Sequence, residues 1–232
     1  MKTLLITGAN RGLGLEFCKQ YAADGWRIFA CCRNLENAPE LQELAAAHPN
    51  LVSLHILDVE DAGGINELAQ ELADEPIDIL LNNAGIYPDG GGMGFGYTER
   101  DAWIQAFLVN TMAPLKMAEA FISNLERGKF KTIATISSKM GSVDDNTSGG
   151  HYLYRSSKAA VNMVVKSMSI DLAPRGIIAV VLHPGWVLTD MGGPNALITP
   201  EQSISGMRKV IAKLTPADSG KFLGYDGWEV PW

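Results

Sequence analysis

Apolar residues gather into six short runs: TLLIT (3–7), RIFAC (27–31), LVSLHIL (51–57), IDILLNN (77–83), KTIATIS (131–137) and IIAVVLHP (177–184). None alternates strictly between apolar and polar positions, which is the pattern of strands buried on both faces. Each of the first five is followed by a stretch with helical character. Segments 101–126 and 152–173 read as long helices with an apolar face, and 200–214 as a further helix. Strands alternating with helices predict right-handed crossovers and a parallel sheet wound on both sides. The expected fold class is therefore α/β, a doubly wound parallel sheet, with residues 1–232 forming a single domain without repeats or linkers.

Two stretches break the pattern. YPDGGGMGFGYTER (87–100) is too rich in glycine for an element and reads either as a loop bordering a site or as a surface insertion. GKFLGYDGWEVPW, the last residues given, suits a final strand and a tail near the site, although its tryptophans fit packing equally well.

Hydrophobic residues make up 47% and charged residues 19%, which calls for a packed globule and excludes disorder. A net charge of −7 argues against a nucleic-acid surface, which needs a clustered basic face. The opening MKTLLITGAN turns glycine-rich too soon for a signal peptide or a membrane span. Three cysteines, at 18, 31 and 32, supply neither a disulfide framework nor a zinc spacing, so the expected compartment is the cytoplasm. The four histidines (48, 55, 151 and 183) are scattered, and no nucleophile–base–acid set is expected.

The first strand runs straight into TGANRGLG (7–14) and then a helical stretch. Glycines at 8, 12 and 14 suit a tight turn that lets backbone approach a pyrophosphate at the N-terminus of a helix. This is the phosphate turn of a Rossmann-type fold, although the spacing G-x-x-x-G-x-G differs from the commoner G-x-G-x-x-G. An NAD-selective site would carry an acid near the end of the second strand, where FACCRN (29–34) offers Cys32 and then Arg33. A guanidinium there, with Arg11 in the turn, suits a 2′-phosphate, so NADP(H) is favoured over NAD(H).

YRSSK (154–158) places Tyr154 and Lys158 four apart, on one helical face. With NNAG (82–85), ISSKMGS (136–142) and HPGWVLTDM (183–191), the chain resembles the short-chain dehydrogenase/reductase family along almost its whole length. Its wording is most similar to the C-factor-like and sniffer-like carbonyl reductases within that family. The resemblance implies a cofactor site built from Gly8, Asn10, Arg11, Gly12, Leu13, Gly14, Arg33, Asp58, Val59, Asn83, Ala84, Gly85, Tyr154, Lys158, Pro184, Gly185, Val187 and Thr189. It implies catalysis by Asn110, Ser138, Tyr154 and Lys158, with no metal.

The implied reaction reduces a ketone or aldehyde to an alcohol, reversibly. A phenol titrates near ~10, so Tyr154 needs its anion stabilised to exchange protons near neutrality, and the Lys158 ammonium is expected to lower its pKa. By resemblance Lys158 also bonds the nicotinamide ribose, and Asn110 orders a water linking Lys158 to solvent. Ser138 matches the family's serine, which polarises the substrate oxygen. Ser137 competes, because alternation lets only one of the pair face the cleft. His183 reads as a satisfied strand-end residue. His151 and Tyr152 are open between substrate contact and structure, and Asp144 and Asp145 read as solvated loop.

Residues 187–202 are expected to form a short substrate lid, completed by the 87–98 loop. Partners are a small carbonyl or alcohol substrate and, by resemblance, further copies of the chain in a homodimer or homotetramer. The competing function, also suggested by C-factor-like relatives, is a signalling or regulatory protein that binds a dinucleotide with little turnover.

Overall fold

The computed structural model describes residues 1–90 and 94–232. Seven strands form the sheet: β1 (Thr3–Thr7), β2 (Arg27–Cys32), β3 (Val52–Ile56), β4 (Ile79–Asn82), β5 (Thr132–Ile136), β6 (Ile178–His183) and β7 (Phe222–Gly224). All pair in parallel, in the order β3-β2-β1-β4-β5-β6-β7. Strand order therefore reverses between β1 and β4, and such a reversal opens a crevice beyond the carboxyl ends of the strands. The doubly wound expectation holds, and β7 is the strand expected within the last residues given.

Successive side chains on a strand point to opposite faces, which divides the core in two. Leu4 and Ile6 pack with Phe17 and Tyr21 of α1 (Gly12–Ala23), Leu41 of α2 (Pro39–Ala47) and Met207 of α8 (Pro200–Lys213). Leu5 faces the other way, toward Ile65 of α3 (Ala62–Glu71), Met117 of α5 (Ala113–Ala120), Leu125 of α6 (Ile122–Arg127) and Val161 of α7 (Tyr152–Asp171). Helix α8 begins with a reciprocal cap between Thr199 and Gln202. Among the described residues, no helix is long and apolar enough to cross a membrane.

The long helix expected over 101–126 is not continuous. It divides into α4 (Arg100–Phe107), a π turn (Leu108–Met112), α5 and α6. Pro114 supplies the reason. It has no N–H to give the carbonyl of Asn110 four residues back, and its ring crowds that carbonyl. The turn widens, and Ala113 N–H bonds Leu108 O, five residues back.

A second expectation changes in space. Ser53 Oγ lies 2.9 Å from His55 Nε2, and His55 Nδ1 lies 3.3 Å from Glu71 Oε1. A serine, a histidine and an acid are thus linked after all. Ser53 and His55 stand on the outer strand β3 and Glu71 ends α3, so the link ties α3 to the edge of the sheet, and none of the three lines the crevice.

At the other end of the strands, Asp78 is 3% exposed, and its carboxylate accepts from Thr3 N (2.8 Å), Lys129 N (2.7 Å) and Phe130 N (3.2 Å). One side chain thus fixes where β1, β4 and β5 begin. Asp78→Ala leaves three donors without their acceptor and is expected to lower unfolding free energy by about 3 kcal/mol or more, measured by urea titration.

Candidate active site

The glycine turn is closed by sterics and by β4. Gly8 and Gly12 adopt φ of +67° and +54°, the left-handed region that favours glycine. A Cβ on Gly14 would lie 2.1 Å from Gly8 O, so the helix can start this close to the strand only without a side chain. Asn83 completes the turn: its Nδ2 donates to Thr7 O at 2.9 Å and to Gly8 O at 3.0 Å. The backbone N–H groups of Asn83 and Ala84 both donate to Thr7 Oγ1 at 3.1 Å. Helix α1 begins without a side-chain cap, leaving its first N–H groups directed at the crevice.

A cavity of about 360 Å³ lies over this turn, at the carboxyl ends of β1 to β6. Of the expected cofactor residues, Gly8, Asn10, Arg11, Gly12, Leu13 and Gly14 form its floor. Arg33, Asp58 and Val59 form one wall, and Asn83, Ala84 and Gly85 another, while Tyr154, Lys158, Pro184 and Thr189 close the far end. An open helix N-terminus, glycines in place of side chains and a basic rim fit the phosphates of a dinucleotide. Cys32 lines the cavity at the end of β2, where an acid would meet a free ribose 2′-hydroxyl. Arg33 has no ion-pair partner among the described residues. Arg11 differs from expectation, since its guanidinium is bound to Asp190 at 2.6 Å on the opposite rim.

Two expected cofactor residues do not line the cavity. Gly185 (φ +85°) turns the chain where a Cβ would lie 2.6 Å from Ile198 Cδ1, and Val187 is buried in a bridge with Ile198. Both build the loop that carries Thr189 to the glycine turn, where its Cγ2 comes within 3.6 Å of a Cβ placed on Gly12. The 187–202 stretch is thus pinned by the Val187–Ile198 bridge and by Trp186 Nε1–H donating to Gly192 O at 2.7 Å. The 87–98 loop is described except for 91–93, which lie outside the described residues.

At the closed end, Tyr154 and Lys158 are 7% and 4% exposed, both on α7. Lys158 Nζ donates to Ile136 O at 3.0 Å and lies 5.7 Å from the centre of the Tyr154 ring. Burial lowers the ammonium to about 8. Burial also pushes the Tyr154 phenol up to about 12, opposed by a hydrogen bond with Ser138 and reinforced by Tyr87. In the protein alone, loss of water around the phenol governs Tyr154, rather than the lowering expected from Lys158.

The two serines have different surroundings. Ser137 borders the cavity, but its hydroxyl donates to Asn162 Oδ1 at 2.7 Å. Ser138 Oγ accepts from Met140 N at 3.1 Å, and Ser138 is the serine that draws the Tyr154 phenol downward.

Asn110 lies inside the π turn and is buried. Its Nδ2 donates to Ile86 O at 2.9 Å and Ser157 Oγ at 3.0 Å, and its Oδ1 accepts from Ile86 N at 2.9 Å. Its first partners are thus protein atoms. The site also lies close behind Lys158: a Cβ on Gly85 would be 3.3 Å from Asn110 Oδ1 and 3.5 Å from Lys158 Nζ.

His183 accepts from Lys139 N through Nδ1 at 3.2 Å, which matches the satisfied strand-end residue expected. Asp145, in a partly solvated loop as expected, pairs with Lys139 at 2.9 Å. Two contacts were not foreseen: Tyr87 O–H lies 2.6 Å from His151 Nδ1, and the Asp89 carboxylate meets the start of α7. Their only sequence signal was proximity to NNAG.

A family model described as short chain dehydrogenase matches residues 2–197. The chain belongs to that family. Among curated relatives, it is 46% identical over 157 residues to the C-signal of Myxococcus xanthus, covering 68% of this chain and 93% of that protein. Among solved structures, the carbonyl reductase Sniffer of D. melanogaster is similar with a TM-score of 0.93 and 34% identity, over 100% of both chains. The NADPH-bound carbonyl reductase from chicken fatty liver has a TM-score of 0.93 and 35% identity, over 100% of this chain and 99% of that one. As a family member, this short-chain dehydrogenase is a dinucleotide-binding oxidoreductase, with kinship to the C-factor and sniffer types that its motifs implied.

Burial lowers His183 to about 4, with Lys139 adding to the effect. The unfolded chain then binds the extra proton first as pH falls, so stability is expected to rise from pH 4 to about 6.5 and to lose this dependence above. Thermal melts across this range should show the slope in the native protein and a shallower one in His183→Gln.

Proposed function

We propose that this dehydrogenase reduces a ketone or aldehyde to the alcohol, reversibly, as an NADPH-dependent carbonyl reductase. The observation that carries this reading is the buried pair of Tyr154 and Lys158 on one face of α7, at the end of a cleft floored by the glycine turn. When bound, NADPH supplies the hydride. Ser138 donates to the carbonyl oxygen and stabilises the charge that grows on it. Tyr154 gives that oxygen its proton, leaving a phenolate. The Lys158 ammonium stabilises this anion, and a water held between Lys158 and Asn110 returns the proton. A binding protein with little turnover has no physical need for a buried phenol beside a buried ammonium, and this favours the enzyme over the signalling alternative.

Arg33 supports the cofactor choice because it stands on the cavity wall beyond Cys32. Arg11 would have to leave Asp190 to join it, so Arg33 is the principal recognition group for the 2′-phosphate. The similarity to an NADPH-bound reductase supports the same choice. For assembly, α4 exposes Trp103 and Ile104 and α7 exposes Met163 and Ile170, which supports self-association.

Tyr154→Phe is expected to lower kcat by about 10²–10⁴-fold while NADPH Kd stays near the native value. Steady-state rates with 4-nitrobenzaldehyde and fluorescence titration with NADPH measure the two; undiminished turnover would overturn the proton donor. Arg33→Ala is expected to weaken NADPH binding by about tenfold or more and leave NADH binding unchanged, consistent with loss of a charge-assisted contact. Equal effects on both cofactors would overturn the 2′-phosphate assignment.

A further inference from the structure

Helix α7 carries Tyr154 in its first turn, yet that turn has no cap of its own. His151, at the cap position, is left-handed (φ 50°) and makes no capping side-chain bond. Helix starts leave N–H groups without partners. Here they are satisfied by a residue more than sixty positions earlier. Asp89 Oδ1 accepts from Leu153 N at 3.2 Å, and Asp89 Oδ2 from Tyr154 N at 2.6 Å. Asp89 is 8% exposed, and a carboxylate so buried needs such donors and the positive end of a helix. Two residues before it, Tyr87 bonds His151 and sets its ring 4.7 Å from that of Tyr154, tilted by 54°.

We propose that Asp89 is a positioning residue for Tyr154, with Tyr87 as its brace. Asp89 fixes the backbone nitrogen of the tyrosine and Tyr87 fixes one side of its ring, so that the phenol keeps its place beside Lys158. The same stretch binds the rest of the site: Asn83 closes the glycine turn and Ile86 holds Asn110. Residues 83–89 thereby keep proton donor, relay and cofactor floor in one frame. The assignment rests on Tyr154 being the proton donor. Displacement of a reacting group by about 1 Å can cost on the order of 10²-fold in rate.

The test compares the full chain with Asp89→Ala and Asp89→Asn, using NADPH with 4-nitrobenzaldehyde. Asp89→Ala is expected to lower kcat about tenfold or more, with carbonyl KM and NADPH Kd within about twofold. Asp89→Asn keeps one acceptor oxygen and is expected to recover part of the loss. Hydrogen exchange at the Leu153 and Tyr154 amides should quicken in Asp89→Ala and less in Asp89→Asn. Native kcat in Asp89→Ala overturns the proposal, as does a loss shared equally by kcat, NADPH binding and melting temperature. If Asp89→Ala does not fold, a lowered kcat with unchanged NADPH Kd in Asp89→Asn supports the proposal, and native kcat there overturns it. If the native protein reduces no aldehyde, the proton-donor reading fails; exchange then decides the positioning, and unaltered Leu153 and Tyr154 amides overturn it.

Discussion

A seam of four hydrogen bonds joins Thr7 and Gly8 to Asn83 and Ala84 across the point where strand order reverses. The crevice exists because neighbouring connections part there, and the seam holds its two lips at fixed separation. On one side it constrains glycines that leave α1 open toward the cavity. On the other it starts the chain segment that reaches Asn110, His151 and the first turn of α7. Polar atoms buried at such a junction must find partners, and these partners give the site its shape.

Burial acts on the two ionisable groups at the closed end in opposite senses. It raises the phenol of Tyr154 to about 12 and lowers the ammonium of Lys158 to about 8. Both shifts favour the neutral form, as removal of water does for any isolated charge. A site of this kind is poised for charge to appear within it only when both signs can appear together. Among the described residues Lys158 donates to one protein acceptor, Ile136 O.

The sheet was legible because strands buried on both faces leave short apolar runs, and their length and alternation with helical stretches separate them from buried helices. The glycine turn and the Tyr154–Lys158 pair were legible because each depends on short-range spacing. Asn110 was placed on a straight helix, although Pro114 four residues later already forbade one. The Asp89 contact was hidden for a different reason: an aspartate in a glycine-rich loop is ordinary, and only the fold carries it to Tyr154. Ser137 and Ser138 needed coordinates too, since Asn162, which binds the former, lies 25 positions away. The Arg11–Asp190 pair likewise joins residues 179 apart, beyond the reach of any local pattern.

The π turn at Leu108–Met112 shifts the phase of the helical segment that contains it. One residue added to a turn rotates everything beyond it by about 100°. Met117 and Ala118 therefore face the core at an angle that an unbroken α-helix through α4 would not give them. Straightening this segment would move the buried stripe of α5 and the amide of Asn110 together, so packing and site chemistry are mechanically coupled. The irregularity works as a gear between them, and Pro114 keeps it engaged.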